Sequence, residues 1–346
     1  MQQTGRLQPV FPKITIVTPS FNQGQYIEET ILSIINQDYP NLEYIIIDGG
    51  STDNTVDVIK KYENKISYWV SEKDNGQANA INKGFKRASG EILNWINSDD
   101  QLMPRALHKI AELFNENPNA IMVHGRIEYF GETKYNFYSR NLPLHDIEAR
   151  YAAHICMPQP ATFYRRKLLD EQGFLDENLH FSMDSDLFIR AGLHYQIKQT
   201  DEVLARFRLH ATSKSVSSFN KTFLTENAII FSRVLATLNA LKEISELQSL
   251  GFYTKPSYLY NNTQKKLNTT KLVFYFLQHR LYTLYHHGEK KEFKRVFNHL
   301  LFNHTNLLLS SGKLLAYRAS LFLPTGLLHK VFNKQIKAEV SESATG

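Results

Sequence analysis

Short apolar runs alternate with segments of helical apolar spacing over the first hundred residues of the chain. The runs at 14–18, 42–47, 66–70 and 92–96 are rich in isoleucine, valine and aromatic residues, and each predicts a short buried strand. The segments between them, 26–37, 55–62 and 77–88, place apolar residues on one helix face. This alternation predicts βα units that build a Rossmann-like α/β fold, with a mostly parallel sheet flanked by helices.

Four predicted strand ends carry polar loops that contain small or acidic residues. The loops are Pro19-Ser20-Phe21-Asn22, Asp48-Gly49-Gly50-Ser51, Asp74-Asn75-Gly76 and Ser98-Asp99-Asp100. Each loop alone is compatible with an ordinary turn, but the carboxyl ends of parallel strands share one edge of a sheet, where ligands bind. The chain has no Gly-x-Gly-x-x-Gly motif and no Walker-type lysine loop, which disfavours a dinucleotide enzyme and a P-loop NTPase.

The apolar run at 92–96 ends abruptly at two adjacent carboxylates, Asp99 and Asp100. Like charges beside a core repel each other and lose hydration, and a divalent cation removes that cost. Oxygen ligands of this type suit Mg²⁺ or Mn²⁺, which take further ligands from substrate phosphates. In the alternative interpretation, Ser98-Asp99-Asp100 only caps a helix that starts near Met103-Pro104.

The pattern becomes less regular beyond residue 113. Apolar segments at 121–123 and 126–130 predict strands, and the spacing over 187–193 predicts a helix. Asp184 and Asp186 fall at the N-terminus of that helix, where the helix dipole favours a carboxylate, so capping is one interpretation. For the proline-rich segment 156–166, one interpretation is a turn that leads into an edge strand, and a functional role is the other.

Helical spacing dominates from residue 220 onward, and the net charge changes sign. Residues 221–346 hold 17 Lys and Arg against 7 Asp and Glu, a net charge of +10, whereas residues 1–220 hold 23 against 27, or −4. Basic helices with aromatic and leucine faces favour peripheral contact with an anionic membrane, and a bundle packed on the first domain is the alternative. The chain is thus predicted to contain an N-terminal extension (1–12), an α/β domain (13–219), a helical region (220–337) and a disordered tail (338–346).

Several features limit the cellular setting of the protein. No run of about 18 apolar residues predicts a spanning helix, and residues 1–9 lack the apolar segment of a signal peptide. The single cysteine, Cys156, excludes an internal disulfide. We therefore expect a cytoplasmic protein, peripheral on the inner face of the membrane. Nucleic acid is not an expected partner, because the basic charge comes without a recognition motif.

Six short motifs follow one another between residues 13 and 210. They are Thr18-Pro19-Ser20-Phe21-Asn22, Ile47-Asp48-Gly49-Gly50-Ser51-Thr52-Asp53, Glu72-x-Asp74-x-Gly76, Ala80-Ile81-Asn82-x-Gly84, Ala88-Ser89-Gly90 and Asn97-Ser98-Asp99-Asp100. In order and spacing they resemble glycosyltransferase family 2, which has the GT-A fold and includes many bacterial polysaccharide enzymes. The resemblance implies that residues 13–219 form the catalytic domain.

The resemblance also implies roles for individual residues. Those expected to bind a nucleotide-sugar are Pro19, Ser20, Asn22, Asp48, Gly50, Asp74, Gly76, Asn82, Ser98 and Asp99, with Asp48 on the base and Asp99 near the ribose. Asp100 would bind Mn²⁺ or Mg²⁺ on the donor diphosphate, helped by His210, and Arg208 or Lys214 would neutralise phosphate. A single histidine is equally compatible with a simple packing role.

The acceptor side is also assigned by resemblance. The family's Glu-Asp-x-Asp-Leu pattern matches Met183-Asp184-Ser185-Asp186-Leu187, which makes Asp184 the catalytic base, although Met183 replaces the usual acidic residue. Asp186 is expected to be structural. Gln159, Pro160 and Thr162 belong to the segment that borders the acceptor pocket in the family.

The expected activity is that of an inverting, metal-dependent glycosyltransferase. It would move a sugar from a nucleotide-sugar, most simply a UDP-sugar, to a hydroxyl of a glycan or lipid-linked acceptor in surface polysaccharide biosynthesis. A nucleotidyltransferase of related fold and a non-catalytic nucleotide- or glycan-binding module are the alternatives. The first needs a basic pocket for a triphosphate near residues 19–22, and that segment supplies no basic residue.

Overall fold

The first four strands form the parallel half of one mixed sheet. The computed structural model describes residues 11–133, 135–153, 157–211, 221–286 and 288–309. The four strands are β1 (Ile14–Ser20), β2 (Leu42–Asp48), β3 (Tyr68–Ser71) and β4 (Ile92–Trp95). β1 pairs in parallel with both β2 and β4, and β3 continues the parallel order beyond β2. Their carboxyl ends therefore lie along one edge, as the alternating pattern predicts.

The second half of the sheet mixes strand directions. It contains β5 (Gln101–Leu102), β6 (Ala120–Gly131), β7 (Phe137–Tyr138), β8 (Thr162–Arg165) and β9 (Gln196–Leu209). The strand order is β3-β2-β1-β4-β8-β6-β9-β5, with β7 paired to β6. β8 runs antiparallel between β4 and β6, so the alternative interpretation of this segment as a turn into an edge strand does not hold. Pro158 and Pro160 precede β8 and leave its hydrogen-bond ladder intact.

Helices cover both faces of the sheet. Those of the first 200 residues are α1 (Ile27–Ile35), α2 (Thr55–Lys61), α3 (Gln77–Arg87), α4 (Ala106–Glu116), α5 (Ile147–Ala153), α6 (Lys167–Gln172) and α7 (Met183–His194), with 3-10 turns at Glu63–Lys65 and Gln159–Ala161. Side chains alternate across a strand, so Ile14 and Ile16 of β1 join one apolar cluster with α1, α2 and α4. Val17 faces the other cluster, which contains residues of α3, α5 and α7.

The C-terminal region is helical and packs on that second face. Its helices are α8 (Lys221–Thr237), α9 (Leu241–Ser249), α10 (Thr269–His286), α11 (Lys290–Asn303) and α12 (Thr305–Leu309). Phe231 of α8 stacks on Phe276 of α10 with ring centroids 4.2 Å apart, and both belong to the same cluster as Val17. The α/β class and the helical C-terminal region are confirmed, and the region packs on the sheet domain as the bundle interpretation expected.

Some predicted features of the chain are not settled by the described residues. The predicted boundary at 219/220 stays a prediction, since one apolar cluster runs through both parts. The predicted tail at 338–346, residues 1–10 and residues 310–337 of the predicted helical region lie outside the described residues. Within the described ranges, no helix is both long and apolar enough to cross a membrane.

Candidate active site

The ends of β1 to β4 open into one cleft with a volume of about 1320 Å³. It collects most of the residues singled out in the sequence: Pro19, Ser20, Gly50, Asp74, Gly76, Ser98, Asp99, Asp100, Gln159, Pro160, Asp184 and His210. Segments up to 191 residues apart thus meet in one place, because the parallel strands end at a common edge and α7 and β9 border the same space.

Four predicted residues do not line the cleft, because their polar atoms are engaged elsewhere. The Asn82 amide donates to the Leu175 carbonyl and to Glu177, and its oxygen accepts from the Leu175 N–H. Thr162 donates to the Pro158 carbonyl at 2.7 Å. Asn22 accepts the Thr52 N–H at 2.9 Å and joins the first two loops. These contacts give Asn82, Thr162 and Asn22 a supporting role in the fold, and their contact with a ligand stays a prediction.

Asp48 is the fourth of these residues. Its carboxylate is fully buried and is turned into its own loop, where it accepts from the N–H groups of Gly50 and Ser51 and from the hydroxyls of Ser51 and Ser71. In this structure Asp48 shapes the loop whose Gly49 and Gly50 face the cleft, and its contact with a nucleotide base stays a prediction.

The loop after β2 requires glycine twice. A Cβ at Gly49 would lie 2.7 Å from Oδ2 of Asp74, and Gly50 has a φ of +83°, a conformation that other residues rarely adopt. Asp74 in turn accepts the Gly76 N–H at 2.8 Å. The floor of the cleft is thus made of closely approaching backbone and one carboxylate.

Asp99, Asp100 and His210 form the acidic corner of the cleft. The Nε2 atom of His210 lies 3.0 Å from Oδ2 of Asp99, and the His210 ring packs against Tyr26. Asp100 is almost fully buried and accepts from the backbone N–H of Arg208 at 3.0 Å and from the Asn97 amide at 3.3 Å. Burial, together with the charge of Asp99, raises the pKa of Asp100 well above its usual value.

The corner holds residue types that can bind a divalent cation, and the metal-binding role of Asp100 and His210 stays a prediction. Two carboxylates and one imidazole are ligand types that Mn²⁺ accepts, and a buried carboxylate with a raised pKa is stabilised when a cation binds beside it. Arg208, the predicted phosphate ligand, instead directs its guanidinium to the Asp99 carbonyl and to Glu29. Lys214 lies outside the described residues.

A second group of ligand-type residues lies away from the cleft, in the C-terminal helices. The Nε2 atoms of His299 and His304 each lie 2.7 Å from Oε1 of Glu246, within a set of three ligand atoms that could hold a metal. Distances of this size are those of charge-assisted hydrogen bonds. The group joins α9 to the end of α11.

Asp184 and Asp186 have different surroundings although both lie in the first turn of α7. Asp184 lines the cleft and accepts the Ser185 N–H at 2.8 Å. Asp186 is fully buried, where it pairs with Arg190 at 2.9 Å and Arg233 at 3.0 Å and accepts the Tyr260 hydroxyl at 2.6 Å. The expectation that Asp186 is structural agrees with these contacts, which tie α7 to the C-terminal region.

The cleft also contains residues that sequence reasoning missed. Phe223 of α8 and His279 of α10 line it with ring centroids 6.3 Å apart, and Lys73 and Arg140 bring positive charge. No local motif marks Phe223 or His279; their role depends on how the C-terminal helices pack. In the described part of the chain, the Ser20 hydroxyl and Oε1 of Gln159 are buried without a hydrogen-bond partner, so both can bond to a ligand or to water.

The model of the Glycosyl transferase family 2 matches residues 15–191, more than half of the chain. The chain belongs to glycosyltransferase family 2. It is therefore a glycosyltransferase, as the motifs predict. Among curated proteins, it is similar to an uncharacterized glycosyltransferase of Rickettsia prowazekii, with 26% identity over 217 residues that cover 61% of this chain and 68% of the relative.

Other similar proteins have more specific names. The GalNAc(5)-diNAcBac-PP-undecaprenol beta-1,3-glucosyltransferase of Campylobacter jejuni is 31% identical over 135 residues, which cover 38% of this chain and 44% of the relative. This chain thus spans about two thirds of the Rickettsia protein and less than half of the Campylobacter glucosyltransferase.

Two solved structures share the fold at low identity. Mannosyltransferase PcManGT from Pyrobaculum calidifontis, in complex with GDP-Man and Mn²⁺, has a TM-score of 0.51 and 17% identity, covering 91% of this chain and 85% of that one. S. aureus TarS 1–349, in complex with UDP-GlcNAc, has a TM-score of 0.51 and 20% identity, with coverages of 65% and 70%. The family 2 glycosyltransferase described here therefore has the GT-A fold.

Proposed function

We propose that this protein transfers a sugar from a nucleotide-sugar, first of all a UDP-sugar, to a hydroxyl of a surface glycan or its lipid-linked precursor. The observation that carries the proposal is the cleft itself, which has the acidic corner Asp99–Asp100–His210 and the carboxylate of Asp184 in one wall. Family membership removes the support for the nucleotidyltransferase and for the non-catalytic module.

The donor half of the cleft lies over the loops that follow β1 to β4. Gly49 and Gly50 allow a nucleotide to approach the backbone, Asp74 accepts from its N–H or O–H groups, and the unpartnered Ser20 hydroxyl bonds to it. Lys73 offers positive charge to the diphosphate. A UDP-sugar and a GDP-sugar are bound by structural neighbours, so both belong in a donor panel.

Asp100 and His210, with Asp99 beside them, would hold Mn²⁺ or Mg²⁺, which when bound stabilises the negative charge of the leaving diphosphate. Asn97 and the Arg208 N–H orient the Asp100 carboxylate for this role through hydrogen bonds. Tyr26 packs against the His210 ring and fixes its position.

Asp184 is the proposed general base. Its carboxylate accepts the proton of the acceptor hydroxyl while that oxygen attacks the anomeric carbon, and the bond to the diphosphate breaks. Direct displacement of this kind inverts the anomeric configuration. Gln159 and Pro160 border the acceptor, and the free Oε1 of Gln159 accepts from a sugar hydroxyl.

The acceptor is proposed to be presented at an anionic membrane. The Campylobacter relative is named for an undecaprenol-linked substrate. In this chain, Phe302 and Leu309 expose 80% and 59% of their surface near the end of the described residues, and Lys290, Lys291 and Lys294 are exposed in the first turns of α11, the helix that carries Phe302. Apolar side chains beside basic ones are typical of interfacial helices.

Asp184→Asn tests the proposal. With Mn²⁺ and a panel of nucleotide-sugars, wild-type protein should release nucleoside diphosphate and transfer sugar to acceptor. The variant should lose about 10²- to 10⁴-fold in transfer rate, because the amide cannot take the proton. Its affinity for UDP and Mn²⁺, measured by calorimetry, should stay near that of the wild type.

Asp170→Asn is the matched control, since Asp170 also lies in the first turn of a helix but is exposed on α6. Its transfer rate should equal that of the wild type. Undiminished transfer by Asp184→Asn would remove the base assignment, and a wild-type protein that releases no diphosphate from any donor would contradict the proposed function.

A further inference from the structure

Glu226 of α8 is a buried carboxylate that accepts hydrogen bonds from backbone N–H groups. It is 5% exposed, and its Oε1 accepts the N–H of His180 at 2.8 Å. Its Oε2 accepts the N–H groups of Phe181 at 2.8 Å and Ser182 at 2.9 Å. The three donors are consecutive, so one side chain of the C-terminal region binds the backbone of the whole segment 180–182.

This arrangement strongly fixes the position of the segment. A buried ionised carboxylate is tolerated only when hydrogen bonds replace its lost hydration, and bonds to a charged acceptor are stronger than neutral ones. The segment also leads directly into α7, whose N-terminal dipole favours nearby negative charge. If residues 180–182 moved away, Glu226 would be left buried without its partners.

Segment 180–182 forms part of the wall of the cleft. His180 and Phe181 line the cleft, and Asp184 follows Ser182 by two residues in the first turn of α7. Phe223, three residues before Glu226 on the same helix, lines it as well. A shift of segment 180–182 would therefore move the Asp184 carboxylate relative to the acidic corner.

We infer that Glu226 is a positioning residue for sugar transfer: it holds segment 180–182 so that Asp184 meets the acceptor hydroxyl. This rests on the proposed function, in which Asp184 is the base, and it adds a requirement for α8. The C-terminal helices then form part of the catalytic apparatus as well as the packing of the domain. A misplacement of about 1 Å is enough to lower a catalytic rate about 10²-fold.

The test compares Glu226→Gln with the matched control Glu243→Gln. Gln keeps the size of the side chain but replaces one carboxylate oxygen by an NH₂ group. That group is a donor, so it cannot accept a hydrogen bond from a backbone N–H. Glu243 is 7% exposed on α9 and accepts from the hydroxyls of Thr269 and Thr270, away from the cleft residues. Each full-length variant is measured for thermal midpoint, UDP affinity, transfer rate at saturating substrates, and amide hydrogen exchange over residues 180–185.

Glu226→Gln should lower kcat by about tenfold or more and leave the dissociation constant of UDP within about twofold. Amides 180–185 should exchange faster than in the wild type. Glu243→Gln should change neither, whatever its effect on the thermal midpoint. Wild-type kcat in Glu226→Gln, or an equal loss in both variants, would overturn the inference.

The exchange measurement separates this inference from the proposed function. If the wild type proves active but amides 180–185 exchange at the same rate in both variants and in the wild type, Glu226 does not hold the segment. If the wild type transfers no sugar, the proposed function fails, and the exchange rates still decide whether Glu226 fixes the segment.

Discussion

Asp100 carries the least favourable charge of the cleft. Its side chain is buried, it adjoins Asp99, and its two hydrogen-bond donors, the Arg208 N–H and the Asn97 amide, are neutral. An ionised group in such a place lowers the stability of the metal-free protein and is retained when a ligand makes use of it. The same burial and the same neighbouring charge raise the pKa of Asp100, because both disfavour its ionised form.

Asp100→Asn should therefore stabilise the metal-free protein while it abolishes the response to metal. In EDTA, we expect the free energy of unfolding to rise by about 1 kcal/mol, because the variant removes a buried like charge. With Mn²⁺ added, the wild type should gain thermal stability and the variant should not. Thermal unfolding with and without Mn²⁺ measures both effects.

Asp99→Asn is the comparison for this measurement. Asp99 is 21% exposed at its side chain and pairs with His210 at 3.0 Å, so its removal should stabilise the metal-free protein less. A variant Asp100→Asn that is less stable than the wild type in EDTA, or that retains the full Mn²⁺ response, would contradict the assignment of the acidic corner.

At the scale of elements, Glu246 links α9 to the end of α11 through two imidazoles. Burial pushes the pKa of Glu246 up, but the hydrogen bonds from His304 and His299 outweigh burial and leave the pKa below its usual 4.5. A carboxyl with a lowered pKa in the folded state stabilises the protein above pH 4.5, and this contribution is lost as the pH falls through the folded value.

Glu246→Gln should thus destabilise the protein by about 1–3 kcal/mol at neutral pH, since charge-assisted hydrogen bonds are lost from a largely buried group. The difference from the wild type should shrink as the pH falls below 4.5. Urea unfolding over a pH series, in EDTA so that a bound metal does not contribute, provides the measurement.

Glu112→Gln, an exposed change on α4, is the control and should stay within about 0.5 kcal/mol of the wild type at every pH. A difference between wild type and Glu246→Gln that is independent of pH would show that the carboxylate charge plays no part in joining α9 to α11.

The elements differ in how far the sequence reveals them. β1 and β4 were predictable because compact apolar runs end in polar loops, and both strands are buried. β9 gave no such signal: it is a long, half-exposed strand with charged residues such as Lys198 and Arg206, held by main-chain pairing to β6. The prolines before β8 are compatible with an edge strand, but they lie outside its ladder and β8 pairs on both sides.

Site residues divide in the same way. Residues in the loops after parallel strands reach the cleft because topology brings strand ends together, and Ser20, Asp74 and Asp99 follow this rule. Asn82 belongs to a motif but bonds to the Leu175 backbone, 93 positions away. Glu226 lies 44 positions from its partner Ser182, and nothing in its local sequence announces the contact.

At the scale of the whole molecule, the acidic and basic parts of the chain lie in different regions of the structure. The α/β part is net acidic and forms most of the cleft, whereas the basic excess belongs to residues 221–346. The described helices of that region, α8 to α12, pack on the opposite side of the sheet from α1, α2 and α4. Phe302 and Leu309 are exposed in that basic part. This arrangement favours one membrane-facing surface.

The double variant Phe302→Ser/Leu309→Ser should bind anionic phosphatidylglycerol vesicles at least about tenfold more weakly than the wild type, since each exposed apolar side chain gains about 1.5–3 kcal/mol on burial. Co-sedimentation measures the bound fraction. Leu241→Ser, which changes an equally exposed leucine on α9 (68%), should bind like the wild type. Unchanged binding by the double variant would contradict membrane contact at this surface.

The Asp186 contacts limit how family members can be recombined. Asp186 comes from the segment that the family model covers, whereas Arg233 and Tyr260, which bond to it, come from beyond that segment. In a chimera that joined residues 15–191 to foreign C-terminal helices, Asp186 would stay buried but lose Arg233 and Tyr260 as partners. Breaking a buried ion pair in this way costs about 3–5 kcal/mol. An exchange of C-terminal helices meant to change the acceptor must therefore transfer the Asp186 segment together with the C-terminal segments that carry its partners.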